Sequence, residues 1–472
     1  MFVEEADVLI KSTDVLTLNG PGYAKGVDLA IKGGRILNVG KDLKYDARST
    51  VNGKGKLFMP GLVDAHTHPF QIFLRGALRA SGLKVHPFWL KVLVPFEAEM
   101  NEREGRVSAE LAALNMIKKG ITGFIDAGGP YPEIMAEVAD TSGLRARVTY
   151  STMDQGPESY VHTPEDNRKL VRKWSKGRVR GWYSVRQIMV SSEELMRKTA
   201  EYAKEDGVGI TLHIAEEANE VDYAVNKWGK RPVELLNHMG LLSSSSVLAH
   251  SAFLSENDVK LIAAARASVA HCPFINLTHM NFPKVKEMIE AGVNVALGSD
   301  GGSMRALDLF TEMNVMIAGH TAYYGTPYMD YDVISPLDAL VMASSAGAAA
   351  MMEKDLGSIS PGKVADLISV DMRRPGLMPM YNPTSVPLFA TGSDVSDVII
   401  DGKPVMLDGK VLTLDEQKIA EEVDEVYPEV QERLRKYAAR RGIIHDYVKL
   451  SLNIWPDLTY GCKILSLVEV RA

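Results

Sequence analysis

His66 and His68, separated by one threonine at the end of the apolar run Phe58-Met-Pro-Gly-Leu-Val-Asp-Ala65, are the side chains best placed in this sequence to do chemistry. In an extended strand, residues two apart point to the same face, about 7 Å apart along the chain, so both imidazoles can reach one ion. Alone, His-x-His is a weak signal, because most such pairs are ordinary surface or core histidines. Here three more residues of the right type close later strand-like runs: His213 in Thr-Leu-His-Ile-Ala-Glu, His250 in Val-Leu-Ala-His-Ser and Asp300 in Ala-Leu-Gly-Ser-Asp-Gly. Side chains at strand ends are how an eight-stranded barrel furnishes its active-site mouth.

Imidazoles with one carboxylate suit Zn²⁺, with Fe²⁺ as a competitor, and leave coordination positions open for water and substrate. Water on such an ion loses its proton near neutral pH and becomes the nucleophile. Hydrolysis then needs a group that carries protons to the leaving atom. Glu216, three residues beyond His213, is the candidate; in isolation it would read as a solvated carboxylate at a helix start. His250 reads either as a ligand or as a group polarising the substrate, and Asp300 as ligand, base or both. A binuclear site commonly uses a carboxylated lysine at the fourth strand, where Val185-Arg186 stands, so one metal is expected. The Arg186 guanidinium offers a bidentate grip on a carboxylate or a planar carbonyl array, against the alternative of a salt-bridged rim arginine. Gln71, Trp89, His250 and Ser303 complete the expected substrate contacts.

The elements that must position these residues alternate between strand and helix. Strand signals fall at Leu62–Ala65, Ile121–Asp126, Arg147–Tyr150, Gly181–Val185, Gly209–Ile214, Val247–Ser251, Ser268–His271 and Asn294–Gly298. Helical periodicity lies between most of them, as in Glu102–Lys119 and in Glu193–Lys204, the latter opened by a Ser191-x-x-Glu194 capping box. Eight βα units predict a parallel (β/α)8 TIM barrel in residues 59–360. Short strands with turn signals at both ends, residues 1–58 and 361–414, predict a small β-sheet structure; Asp401-Gly402 marks a hairpin turn. Residues 415–472 form an extension that begins as a charged amphipathic helix over Asp415–Arg441, and Ser243–Ser246 reads as a loop.

At 472 residues the chain exceeds one ordinary core and suits one large barrel plus a smaller unit. The 53 basic and 60 acidic side chains leave a charge of -7 with no basic stripe, which argues against a nucleic-acid partner. No signal-peptide pattern and no run of 18 or more apolar residues is read, so no membrane partner is expected. Two cysteines, Cys272 and Cys462, argue against a disulfide framework and fit a reducing cytoplasm. Cys272, next to His271, reads as a buried inert thiol. The methionines of Met100–Met116 and Met304–Met316 read as core packing. A homo-oligomer is compatible with all of this.

Taken together, Pro60-Gly-Leu-Val-Asp-Ala-His-Thr-His68, Arg75-Gly76, Trp89-Leu90, Gly120-Ile-Thr-Gly-Phe-Ile-Asp126, His213-Ile-Ala-Glu216, Ala249-His250, His271-Cys-Pro-Phe-Ile-Asn-Leu277, Gly298-Ser-Asp-Gly301 and Gly357-Ser-Ile-Ser-Pro-Gly-Lys-Val-Ala-Asp-Leu367 form a specific set. To about Gly409 the chain resembles the amidohydrolase superfamily, in its mononuclear-metal branch of S-adenosylhomocysteine/5′-methylthioadenosine deaminases, guanine deaminases and triazine hydrolases. The resemblance implies His66, His68, His213 and Asp300 as ligands, Glu216 as proton shuttle, His250 as a residue contacting substrate or water, and one β-sandwich built from both chain ends. Adenosine-type members usually carry an acidic residue just before Trp-Leu, where this chain has Phe88, and a His-x-Pro-Tyr element where it has Arg186-Gln-Ile-Met189. Many also have asparagine after the aspartate, where Gly301-Gly-Ser-Met-Arg305 stands, so Ser303 and Arg305 are expected to line an altered pocket.

The expected activity is deamination of an amino-substituted heterocycle, a small-molecule substrate, with release of ammonia. Dechlorination, dealkylamination or cyclic-amide hydrolysis is the alternative on the same scaffold, and a catalytically silent metal-binding scaffold the alternative of another class. A structural metal site is normally closed by four protein ligands, whereas this set leaves room for water and adds Glu216.

Overall fold

A computed structural model describes residues 4–19, 22–76, 89–157, 160–329, 331 and 333–440. Eight strand positions follow one another through the middle of the chain: Leu62–His68, Ile121–Asp126, Arg145–Val148, Val179–Gly181 continued by Tyr183–Val185, Ile210–Ile214, Ser246–His250, Ser268–His271, and Asn294–Leu297 continued by Asp300–Gly301. They form two five-stranded parallel arcs. The arcs adjoin at the two interrupted strands. At the fourth, the Trp182 N–H donates to the Val148 carbonyl at 2.9 Å, while Tyr183 pairs with Ile210 on the other side. At the eighth, Asn294–Leu297 pairs with the seventh strand and Asp300–Gly301 with the first. This is the expected TIM barrel, with strands buried on both faces because helices cover the outside and packed side chains fill the inside.

The third strand begins two residues earlier than expected, because Arg145 and Arg147 are strand residues whose charges are matched inside. Arg145 donates to Asp366 at 3.0 and 3.1 Å, and Arg147 to the Met351 carbonyl at 3.1 Å and to Glu353. The helix Glu193–Asp206 is capped one residue later than expected: the Ser192 hydroxyl accepts from Leu195 N–H at 3.2 Å, whereas Ser191 donates to the Gln187 carbonyl at 3.0 Å. Of the Ser243–Ser246 run, the first three residues are loop and Ser246 opens the sixth strand.

Both ends of the chain join one nine-stranded sheet, in the order Lys410–Val411, Lys403–Leu407, Val395–Ile400, Leu367–Asp371, Lys56–Pro60, Glu4–Leu16, Tyr23–Lys32, Arg35–Gly40, with Tyr45–Asn52 beside Glu4–Leu16. The sheet encloses its own core of Ile10, Leu29, Ile31, Phe58, Leu367 and Ile399. The hairpin turn at Asp401-Gly402 has φ of 52° and 74°, the left-handed pair that a primed turn requires. Met100, Met116, Met313 and Met316 are buried in the main core. The helix Glu416–Arg440 lies along Glu102–Lys118 on the barrel flank, held by Arg433–Glu104 at 2.6 Å and Lys118–Glu416 at 2.9 Å, and buries Ile419, Val426 and Val430. Phe88, Cys462 and the rest of the extension beyond Arg440 lie outside the described residues. Among the described residues no helix is long and apolar enough to cross a membrane.

Candidate metal centre

The first strand delivers His66 and His68 to the barrel mouth, and Asp64 ties that strand to the eighth. Its carboxylate accepts the backbone N–H groups of His66 at 3.3 Å and Ser299 at 3.0 Å, together with the Ser299 hydroxyl. Across the same seam the Thr67 hydroxyl donates to the Asp300 carbonyl at 3.1 Å. His66 and Asp300 are therefore held in register by a buried carboxyl that burial pushes up to about 7, against the hydrogen bonds that would lower it. Gly298 belongs to this arrangement, because a Cβ there would lie 2.9 Å from both Cys272 Sγ and the His66 carbonyl oxygen.

Six of the expected residues converge. His66 Nε2 lies 3.5 Å and His68 Nε2 3.6 Å from Asp300 Oδ1, and His68 Nε2 lies 3.1 Å from His213 Nε2. The His66 ring stands edge-on to those of His68, His213 and His250, at centroid distances of 5.1, 4.7 and 5.1 Å. Donor atoms of His66, His213 and His250, and likewise of His66, His68 and Asp300, all fall within 4.8 Å of one another. Burial, with the charges of Arg186 and the neighbouring imidazoles, holds His68 and His213 well below the ordinary histidine range. Burial alone would raise Asp300, but the imidazoles of His66, His68 and His250 around it outweigh that and keep the carboxylate ionised.

Glu216 reaches the same place from a strained turn. Ala215 has φ of 49°, in the left-handed region, and the two N–H groups of the turn, from Ala215 and Glu216, donate to the buried carboxylate of Glu220 at 2.9 and 2.7 Å. Glu216 Oε1 lies 3.9 Å from His250 Nε2. Burial, reinforced by the charges of Glu217, Glu220 and Asp300, pushes Glu216 well above the ordinary carboxyl range. His250 itself has φ of 67° and is brought down to about 3 by burial, with Asp300 opposing and His66 and Arg186 reinforcing that shift. Behind it, Asn276 Nδ2 donates to His250 Nδ1 at 3.3 Å.

A second polar group flanks the histidines. Arg186 is almost wholly buried, with Nη1 at 3.5 Å from His68 Nδ1 and 3.7 Å from Glu97 Oε2. Glu97 also receives Gln71 Nε2 at 2.8 Å and the Tyr160 hydroxyl at 2.7 Å. Gln71 continues to Gly301, where any Cβ would run into its Oε1 and meet Ser303 Oγ at 3.1 Å. Trp89 is buried nearby with Tyr160 and Met153, its indole N–H without a partner among the described residues. Arg305 lies over the Phe274 ring at 4.6 Å. Cys272 is a buried free thiol that burial pushes well up, as expected of an inert one. Sequence reasoning missed Asp64, Glu97 and Glu220 as supports. Asp64 two residues before His66 and Glu220 four after Glu216 were visible as spacings; nothing near Glu97 pointed to its role.

The donor set fits a divalent metal ion. An ionised carboxylate sits beside the imidazoles of His68, His213 and His250, which burial holds below the ordinary histidine range, and His66, fully buried, has both ring nitrogens without a hydrogen-bond partner among the described residues. A cation would satisfy both the charge and the lone pairs.

Comparison with known proteins bears on what such a centre does. The profile of the Amidohydrolase family matches residues 57–405. A 5′-deoxyadenosine deaminase of Methanosarcina acetivorans is 32% identical over 84% of this chain and 92% of its own length. A 5-methylthioadenosine/S-adenosylhomocysteine deaminase of Moorella thermoacetica is 33% identical over 84% and 93%. The crystal structure of an adenosine deaminase from Xanthomonas campestris with bound zinc superposes with a TM-score of 0.84 at 25% identity, covering 92% of this chain and 100% of that one. An atrazine chlorohydrolase from Arthrobacter aurescens has a TM-score of 0.81 at 21% identity over 89% and 100%, a likeness of fold.

Proposed function

The chain belongs to the amidohydrolase family, and we propose that within it the protein is a zinc-dependent aminohydrolase that replaces the exocyclic amino group of a heterocycle by oxygen, releasing ammonia. His66, His68, His213 and Asp300 would hold the ion, which when bound supplies Lewis acidity and makes water acidic enough to attack near neutral pH. The observation that carries the reading is Glu216: a buried carboxyl, raised well above its ordinary range, beside the histidine cluster. A carboxyl of that kind favours its protonated form and can give the proton up inside the site.

In this scheme Glu216 gives its proton to the ring nitrogen next to the reacting carbon and recovers one from the attacking water; the remaining proton of that oxygen passes to the amino group, which leaves as ammonia as the C=O bond forms. His250 faces the same space with Nε2 and donates a hydrogen bond to the oxygen that attacks. Arg186, fixed by Glu97, and Gln71 orient the ring. An adenine nucleoside is the substrate class named for the similar deaminases. Phe88 before Trp89 and Arg186-Gln-Ile-Met189 after the fourth strand favour testing bases without ribose alongside it.

The test is ammonia release by zinc- or iron-loaded protein from 5′-deoxyadenosine, methylthioadenosine, free purines, pterins, triazines and carboxylate-bearing amino-heterocycles, with His213→Ala as control. Metal-dependent ammonia from any of these supports the reading, and a preference for anionic rings implicates Arg186. Chloride or alkylamine release with no ammonia from the whole panel would sink it.

A further inference from the structure

A neutral histidine carries one ring proton, and the hydrogen bond at one nitrogen decides which nitrogen has it. At His250 the deciding neighbour is Asn276, from the short helix Pro273–His279 after the seventh strand. The orientation of its amide is dictated by a group that cannot reverse: the backbone N–H of Cys272 only donates, and it meets Asn276 Oδ1 at 3.0 Å. His271 Nδ1 meets the same oxygen at 3.1 Å, and Met280 Sδ, an acceptor, lies 2.9 Å from Nδ2. Turning the amide over would set its NH2 against the Cys272 N–H and its oxygen against sulfur. The NH2 therefore faces His250 Nδ1 at 3.3 Å, and both residues are wholly buried, so water cannot substitute.

We propose that Asn276 is a positioning residue that locks His250 in the Nε2–H tautomer, making His250 a hydrogen-bond donor toward the reacting atoms and excluding Nε2 as a metal ligand. Nδ1, occupied by the amide hydrogen, is the acceptor, so the proton resides on the nitrogen 3.9 Å from Glu216 Oε1. A ligand nitrogen must offer its lone pair, which this arrangement removes from Nε2. What His250 then does rests on the aminohydrolase reading; which nitrogen bears the proton does not.

The test uses full-length, zinc-loaded protein labelled with 15N-histidine. Long-range 1H–15N correlation spectra distinguish a protonated nitrogen from one with a lone pair. The expected wild-type result at neutral pH is a protonated Nε2 and an unprotonated Nδ1 for His250. Asn276→Asp replaces the facing donor by a carboxylate acceptor of the same shape, so the proton should move to Nδ1. In that variant kcat should fall about a hundredfold, the range of a misplaced proton-transfer partner, with zinc content unchanged. A wild-type spectrum with Nδ1 protonated overturns the lock, and that spectrum decides the matter even should the variant fail to fold. An inverted tautomer with undiminished kcat also overturns it. Absence of ammonia release from wild type with Nε2 protonated would defeat the aminohydrolase reading and leave the lock standing.

Discussion

Glu220 holds Glu216 by its backbone: a carboxylate with no exposed surface accepts the Glu216 N–H at 2.7 Å and that of Ala215 at 2.9 Å. The turn that follows the fifth strand, Ile210–Ile214, is thereby held by a side chain from the following helix, Ala218–Trp228. Glu220→Gln presents an NH2 to one of those N–H groups and should let the turn relax. A shift of about 1 Å in a catalytic group costs about a hundredfold in rate. The expected result is that loss in kcat with KM and metal content unchanged; a variant with wild-type kcat would show that the turn holds without Glu220.

Glu216→Gln keeps the shape of the proposed shuttle and removes its proton traffic. Ammonia release should fall by about 10²–10⁴, while metal analysis finds the ion retained, because Glu216 is outside the proposed ligand set. Equal activity of variant and wild type would remove Glu216 from the mechanism.

Glu97 and Arg186 face each other at 3.7 Å with almost no exposure. Removing one partner of a buried pair strands the other charge, at a cost of about 3 kcal/mol, whereas removing both restores part of it. Glu97→Gln and Arg186→Met, measured singly and together by urea unfolding, should show this non-additivity; additive losses would mean that the two do not act as a pair.

Glu312, on the helix Leu309–His320, accepts the Phe274 N–H at 2.8 Å with one oxygen, while the other has no partner among the described residues. Burial pushes it up to about 8, with the Phe274 N–H and Arg305 opposing. Between the ordinary carboxyl range and that value the folded chain keeps a proton that the unfolded chain has released, so this group's contribution to stability falls as pH rises through the window. Glu312→Gln mimics the protonated form. Its Tm relative to wild type should climb from about pH 5 to about pH 8 and then level off; a constant difference would mean that Glu312 does not titrate there.

Metal removal should lower Tm, since an ion that binds only the folded state adds about 2.7 kcal/mol at a hundredfold excess over its Kd. Zinc should restore the Tm of stripped wild type and leave that of His66→Ala unchanged; equal restoration would place the stabilising ion elsewhere.

The histidines and Asp300 were legible because each closes a short apolar or β-branched run, and the eight runs recur at the spacing of βα units. Glu216 was legible only through its nearness to His213. The third strand was misplaced by two residues because its arginines break the apolar pattern and are matched by Asp366 and Glu353, residues far along the chain. Arg186 invited two readings, substrate grip or ion pair. Its pairing with Glu97 depends on the path of the segment after Trp89, which no local pattern reveals.

Only Gly61 separates the strand Lys56–Pro60 of the outer sheet from Leu62–His68 of the barrel, and a Cβ there would run into the Thr122 side chain. That junction leaves no hinge. The outer sheet cannot swing as a lid over the histidines, and the two units should resist heat and proteases as a single block.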